Sequence, residues 1–200
     1  MEIYLVRHTT PAVEKGTCYG QADLDVTDSF HSEAEIIKQV VPDTVKAVYA
    51  SPLKRCTLLA EHLYNDYPIR LCEELKEIDC GDWEMRLWDD IPKEQLKPWM
   101  DDLANVPTLN GESYTDLYNR VSRMFDHIHQ QELPAVIVAH GGVIRSILSH
   151  VTSTAVVDSF KLFSYSYGCV IRLVKNDGHW NMEVLSNIPR EKEMHKPSKY

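Results

Sequence analysis

The apolar positions of the chain fall into two kinds of run. Short, nearly continuous apolar stretches occur at Glu2–Val6, Lys46–Ala50, Ala135–Ala139 and Gly168–Lys175, with a weaker one at Ile69–Cys72. Their length and β-branched content predict strands. Ala135–Ala139 reads AVIVA, apolar at every position, which predicts a strand buried on both faces, as in a parallel sheet. Gly168–Lys175 runs through Asn176-Asp177-Gly178 into His179–Leu185, the signature of a hairpin.

Between these strands the apolar residues recur every three or four positions. Ser29–Val41 places Phe30, Ala34, Ile37 and Val41 on one face, and Pro52–Asn65 does the same with Leu58, Leu59, His62 and Leu63. Glu112–Gln131 carries Leu117, Val121, Met124, Phe125 and Ile128, and Gly142–His150 carries Val143, Ile144, Ile147 and Leu148. Strands alternating with helices predict a three-layer α/β/α sandwich on a mostly parallel sheet with an antiparallel edge. The segment 82–110 breaks this rhythm with Trp83, Trp88, Trp99 and three prolines. It reads as a lid-like insertion with one or two short helices over one end of the sheet. Residues 1–188 are expected to form a single domain, and 189–200 a polar, frayed tail.

Composition narrows the function. With 21 Lys+Arg against 30 Asp+Glu the chain carries −9, which excludes general binding to a nucleic-acid backbone. Its 200 residues hold no apolar run near the ~18 that cross a membrane. Met1–Val6 meets Arg7-His8 with no basic stretch before it, so no secretory signal is expected. Cys18, Cys56, Cys72, Cys80 and Cys169 form neither CxxC nor a zinc spacing and are expected as reduced thiols of a cytoplasmic protein.

The candidate chemistry lies just after three strands. Glu2–Val6 leads into Arg7-His8, Lys46–Ala50 into Ser51-Pro52-Leu53-Lys54-Arg55, and Ala135–Ala139 into His140-Gly141-Gly142. Open parallel sheets bind ligands beyond the carboxyl ends of their strands. If these strands are neighbours, Arg7, His8, Arg55 and His140 gather at one edge. Ser51-Pro52 predicts a helix start with Ser51 as N-cap, which puts Arg55 in the first turn. Gly141-Gly142 opens another helix, whose free N–H groups attract an anion. Two arginines, two histidines and a helix N-terminus fit a phosphoryl group. One of the imidazoles, flanked by guanidinium groups, is a candidate nucleophile, and Glu77, just after Ile69–Cys72, is a candidate proton donor to a leaving alkoxide. His127 and His129, two apart, do not share a helix face and make no metal pair. His31, His62, His150, His179 and His195 are assigned to packing or solvent.

Five blocks in order resemble the histidine phosphatase superfamily, with its phosphoglycerate-mutase-like fold. They are Leu5-Val6-Arg7-His8-Thr9, Ser51-Pro52-Leu53-Lys54-Arg55-Cys56, Leu75-Lys76-Glu77 with Gly81-Asp82-Trp83-Glu84, Gly111-Glu112-Ser113, and Val138-Ala139-His140-Gly141-Gly142-Val143-Ile144-Arg145. The resemblance implies a phosphatase in which His8 is phosphorylated, Arg7, Arg55, His140 and the Gly141 amide hold the phosphate, and Glu77 is acid and then base. It implies no metal and no cofactor, with a small-molecule phosphate ester as partner. Arg7-His8-Thr9-Thr10, followed by the loop Gly16–Asp23, is similar to the α-ribazole-5′-phosphate phosphatase subgroup, which acts late in cobalamin nucleotide-loop assembly. Three positions depart from the family pattern. Thr9 and Met85 stand in place of glycines, and Glu14 in place of a phosphate-supporting asparagine. Gln21 is a candidate replacement donor, and Tyr19, Trp83 and Trp88 are candidate stacking surfaces for a flat leaving group. A locally positive mouth on an acidic body is expected. A phosphoglycerate mutase, or a phosphate- or phosphoprotein-binding module without turnover, is the alternative reading of these residues.

Overall fold

In the computed structural model, which describes residues 1–131, 133–189 and 197, a central strand β1 (Glu2–Arg7) pairs on both sides. Its parallel neighbour is β4 (Ala135–Ala139), followed outward by β2 (Ala47–Ala50) and β3 (Ile69–Leu71), all parallel. Its other neighbour is β5 (Val170–Asn176), antiparallel, with β6 (His179–Ser186) completing the order β3-β2-β4-β1-β5-β6. The β5–β6 turn places Asp177 and Gly178 at φ 49° and 81°, the left-handed pair that a tight two-residue hairpin needs. The candidate tail and His195 lie outside the described residues, Pro189 and Pro197 apart.

Alternation along the central strands builds two cores. Ile3, Leu5, Ala135, Ile137 and Ala139 face α4 (Tyr114–His129) and α5 (Gly141–Thr152), burying Leu117, Val121, Phe125, Val143 and Ile147. Tyr4, Val6, Val136 and Val138 face the opposite layer, α1 (Phe30–Lys38) and α2 (Lys54–Leu63), burying Ala34, Ile37, Cys56, Leu59 and Leu63. The two helical layers make the fold a three-layer sandwich with four parallel strands and an antiparallel edge. No helix among the described residues is long and apolar enough to cross a membrane. The five cysteines are free thiols, all buried except the part-exposed Cys72.

Segment 82–110 holds one α-helix, α3 (Lys93–Asp101), and tight turns at Gly81–Trp83 and Trp88–Asp90. Its tryptophans point inward. Trp99 stacks on Trp88 with centroids 5.5 Å apart and meets Trp83 edge-on at 5.5 Å. The Trp83 indole N–H donates to Gln95 Oε1. Trp83, Trp88 and Trp99 are 1%, 6% and 4% exposed. This corrects the stacking role expected of Trp83 and Trp88: both faces of these rings are taken up by the core, because three indoles bury far more apolar surface against each other than they gain at a wet mouth. The lobe is tied to the loop after β1 by hydrogen bonds between Cys18 N and Arg86 O (2.7 Å) and between Met85 N and Cys18 O (2.8 Å). A short helix the pattern did not predict, α6 (Val156–Leu162), follows α5.

Candidate active site

The sheet register sets the site. Arg7 is paired with Ala139, so His8 and His140 leave two adjacent parallel strands at the same level. His8 N donates to Ala139 O at 3.0 Å, and the two imidazoles meet edge to face with centroids 5.1 Å apart. Ser51 follows β2 at the next position across, its N–H donating to Val138 O at 3.0 Å. Arg7, His8, Arg55 and His140 are 6%, 2%, 0% and 0% exposed, so this polar group works at low local dielectric, where charge interactions are strong.

Hydrogen bonding fixes the state of each imidazole. His8 Nδ1 lies 2.7 Å from its neighbour's carbonyl, Thr9 O. A carbonyl only accepts, so Nδ1 carries a proton, which leaves Nε2 as the ring nitrogen available for other chemistry. His140 is held well below the ordinary imidazole value, first by burial and then by the positive charges of Arg55, His8, Arg7 and Arg120. It is therefore neutral at neutral pH, with Nε2 2.8 Å from Ser51 Oγ. Burial pushes the Cys56 thiol up to about 12, so the sulfur 3.5 Å from His140 Nε2 is an uncharged packing partner.

Arg55 sits in the first turn of α2, as expected, but that helix begins differently. It starts at Lys54 after an extended Leu53, and Ser51 is not its cap. The Ser51 hydroxyl is engaged by His140, and the side chain of Asp23 accepts from Lys54 N at 2.6 Å instead. The fully buried Arg55 guanidinium donates to Gly20 O (2.7 Å) and Ala22 O (2.8 Å). Neutral acceptors orient it without cancelling its charge. Arg7 donates to Tyr165 O at 2.7 Å and lies 4.2 Å over the Tyr167 ring. A Cβ on Gly141 would come within 3.2 Å of the Arg7 guanidinium carbon, which is why the α5 N-terminus approaches this arginine on glycine. Tyr19, half-buried, lies 5.7 Å from Arg55, and its hydroxyl hydrogen-bonds that of Tyr167, whose ring is 5.4 Å from His8.

Glu77 reaches the same edge. Its Oε2 accepts from Gly142 N and its Oε1 from Ile78 N, both at 2.9 Å. Any side chain at 142 would collide with it, since a Cβ there would stand 2.2 Å from Glu77 Oε1. The strand-end segment carrying Glu77 is held by Arg120, which donates to the carbonyls of Glu74, Lys76 and Glu77 at 2.7–2.8 Å. Arg120 is paired with Glu112, which also accepts from Asp79 N. Glu112 thereby ties the start of α4, fixed by a Ser113–Asp116 capping box, to the segment of Glu77. The sequence reading missed Arg120, and its only signal was a basic residue beside the Val121 stripe.

The structure thus brings Arg7, His8, Arg55, Glu77, His140 and Gly141 to one edge. Trp83 and Trp88 stay in the core. The Gln21 amide donates to Glu77 O at 3.2 Å, which makes it part of the frame around the acid. Glu14 is exposed. Thr9 is buried and keeps ordinary backbone, whereas Met85 takes φ 63°, the left-handed region that glycine favours. His129 and His150 both contact Asp126 Oδ1, and among the described residues no group of three or more His, Cys, Asp or Glu could hold a metal ion.

The chain that carries this constellation has relatives of known family. The family model of the histidine phosphatase superfamily, branch 1, covers residues 3–188, and the chain belongs to that superfamily. The enzyme is a phosphatase. It is 27% identical over 198 residues to the adenosylcobalamin/alpha-ribazole phosphatase of Salmonella typhimurium, covering 94% of this chain and 96% of that protein. The alpha-ribazole phosphatase structure from Shigella flexneri superposes with a TM-score of 0.83 at 25% identity, over 96% of this chain and 100% of the other. The Bacillus stearothermophilus YhfR structure shares the fold at a TM-score of 0.82 and 24% identity, over 94% and 98% of the two chains.

Proposed function

We propose that the protein hydrolyses a small phosphate monoester through a phosphohistidine at His8. The observation that carries this is the His8 ring, whose Nδ1 is committed to Thr9 O, so that Nε2 is the nitrogen to attack, in a buried group it shares with neutral His140, Arg7 and Arg55. In the first step His8 Nε2 attacks phosphorus as the P–O bond to the leaving group breaks. Arg7, Arg55, His140 and the Gly141 amide bear the charge on the equatorial oxygens. The leaving alkoxide takes a proton from the Glu77 carboxyl. In the second step water attacks phosphorus, Glu77 takes its proton, and the P–N bond breaks to return His8.

The substrate we assign is α-ribazole 5′-phosphate or a close phosphate ester. Its support is the full-length similarity to phosphatases named for that compound and the loop Gly16–Asp23, which supplies the two carbonyls gripping Arg55. Tyr19, at that loop and beside Arg55, is the aromatic surface left to meet a flat leaving group.

A brief reaction with labelled substrate, quenched in base, should leave acid-labile phosphate on the wild-type protein and none on His8→Ala. That variant should also lose p-nitrophenyl phosphate turnover by several powers of ten, on the order of 10³ or more. Wild-type turnover in His8→Ala would end the mechanism. A panel of phosphate esters in which α-ribazole phosphate shows no advantage in kcat/KM would end the substrate assignment.

A further inference from the structure

Seven residues beyond Glu77 stands a second carboxylate whose geometry differs. Glu84 Oε1 accepts from Gln21 N (2.8 Å) and Cys80 N (3.1 Å), and Oε2 from Gly20 N (3.0 Å) and Ala22 N (3.1 Å). Four backbone N–H groups from two separate segments converge on one side chain. Three belong to the loop 20–22, whose carbonyls at Gly20 and Ala22 are the acceptors of the Arg55 guanidinium. The Gly20 C=O shares its peptide plane with the held Gln21 N–H and so takes a fixed direction, while the Ala22 C=O belongs to the residue whose own N–H is held, only that residue's φ and ψ away. The loop has little room to find another arrangement, since a Cβ on Gly20 would stand 1.8 Å from Ile78 O.

We infer that Glu84 is the positioning residue for Arg55: its carboxylate fixes the loop 20–22 so that two carbonyls aim the guanidinium at the phosphoryl oxygens. It touches neither substrate nor the reacting atoms. The inference rests on the reading of Arg55 as a phosphate ligand. The Glu77 side keeps its own anchors in Arg120 and Gly142 and meets the loop through one longer bond, Gln21 Nε2 to Glu77 O at 3.2 Å, so releasing Glu84 loosens anion binding more than proton transfer. In Glu84→Gln the amide turns two hydrogens toward N–H donors, and the loop loses its anchor.

The test separates binding from turnover. Inorganic phosphate is titrated calorimetrically into wild type, Glu84→Gln, Arg55→Lys and the double variant, and KM and kcat are measured on p-nitrophenyl phosphate. Glu84→Gln is expected to weaken phosphate about tenfold, the scale of one lost charge-assisted hydrogen bond, and to raise KM alike, while kcat falls by less than about threefold. On the Arg55→Lys background the same substitution should add less than about twofold, because the two residues act as one unit. Glu84→Asp, which keeps the charge but shortens the reach, is expected to fall between wild type and Gln, and supplies the measurement if Gln does not fold. Unchanged phosphate affinity, a loss confined to kcat, or losses that simply multiply with Arg55→Lys would overturn the inference. A wild-type protein that binds phosphate but turns over no ester would overturn the phosphohistidine reading and leave this one standing on the titration.

Discussion

The tryptophan lobe and the arginine–histidine mouth meet at the loop after β1, and each shuts out water by a different means. In the lobe, Trp83, Trp88 and Trp99 cover one another, and the Trp83 indole N–H donates to Gln95 Oε1. In the mouth, guanidinium and imidazole groups are just as hidden, but each is aimed by a neutral backbone carbonyl or hydroxyl: Arg7 by Tyr165, Arg55 by Gly20 and Ala22, His8 by Thr9, His140 by Ser51. The first arrangement gains its energy on folding and has nothing left to offer a ligand. The second keeps desolvated charge in place, which is costly unless the groups are held and, when a phosphoryl group arrives, strong. Substitutions in the lobe should therefore tell on stability, and substitutions in the mouth on turnover.

The sharpest split is expected at Glu77. Glu77→Gln keeps an oxygen for Gly142 N, gives up only the local bond from Ile78 N, and removes the transferable proton. Turnover of an alkyl phosphate should fall by roughly 10²–10⁴, and p-nitrophenyl phosphate, whose phenolate leaves without help, should lose much less. Comparing kcat for the two esters checks this; an equal loss on both would remove Glu77 from the acid role.

Trp99 gives the mirror result. Trp99→Ala should cost about 3–5 kcal/mol, since the ring packs between Trp83 and Trp88, and urea unfolding would read it directly. Protein that remains folded should keep its KM for the ester. A Trp99→Ala variant of near-native stability with a large rise in KM would break the distinction between the two regions.

How far the sequence revealed these two regions follows from what each depends on. AVIVA at 135–139 announced a strand buried on both faces, and that strand lies between β1 and β2 with both faces in the cores. Strand ends were legible because the chemistry sits at fixed offsets from them, so Arg7, His8 and His140 came out together. Ser51 was misread because a serine before Pro52 satisfies the local rule for a cap; only the long-range partner His140 reveals its other use. Trp83 was misread because an aromatic in a polar, proline-rich stretch looks exposed, whereas its burial comes from Trp88 and Trp99 closing on it. Arg120 and Glu84 act through carbonyls and amides of distant segments, and backbone groups leave no trace in a residue pattern.

His140 couples the mouth to stability in one respect. Its folded-state value is depressed, by burial first, so the unfolded chain binds the proton more readily. Stability from this group is complete above the unfolded value of about 6.5 and declines as pH falls from there toward the depressed folded value. His140→Gln should flatten that decline. Urea midpoints at several pH values between the two regimes would show it, and an equally steep acid loss in the variant would assign the slope to other groups.

The smallest effect is expected where the lobe joins the loop. Met85 is 54% exposed and stands at φ 63°, so its side chain packs little while its backbone sits where an L-residue costs about 1–2 kcal/mol. Glycine removes that cost but loses roughly 0.5–1 kcal/mol through the freedom of the unfolded chain. Met85→Gly should therefore stabilise by about 0.5 kcal/mol, and Met85→Ala, which keeps a Cβ, should not. Turnover should stay the same in both, because the Met85 N–H to Cys18 O bond survives either change. A destabilised glycine variant would mean that the methionine side chain holds the lobe edge more firmly than its exposure implies.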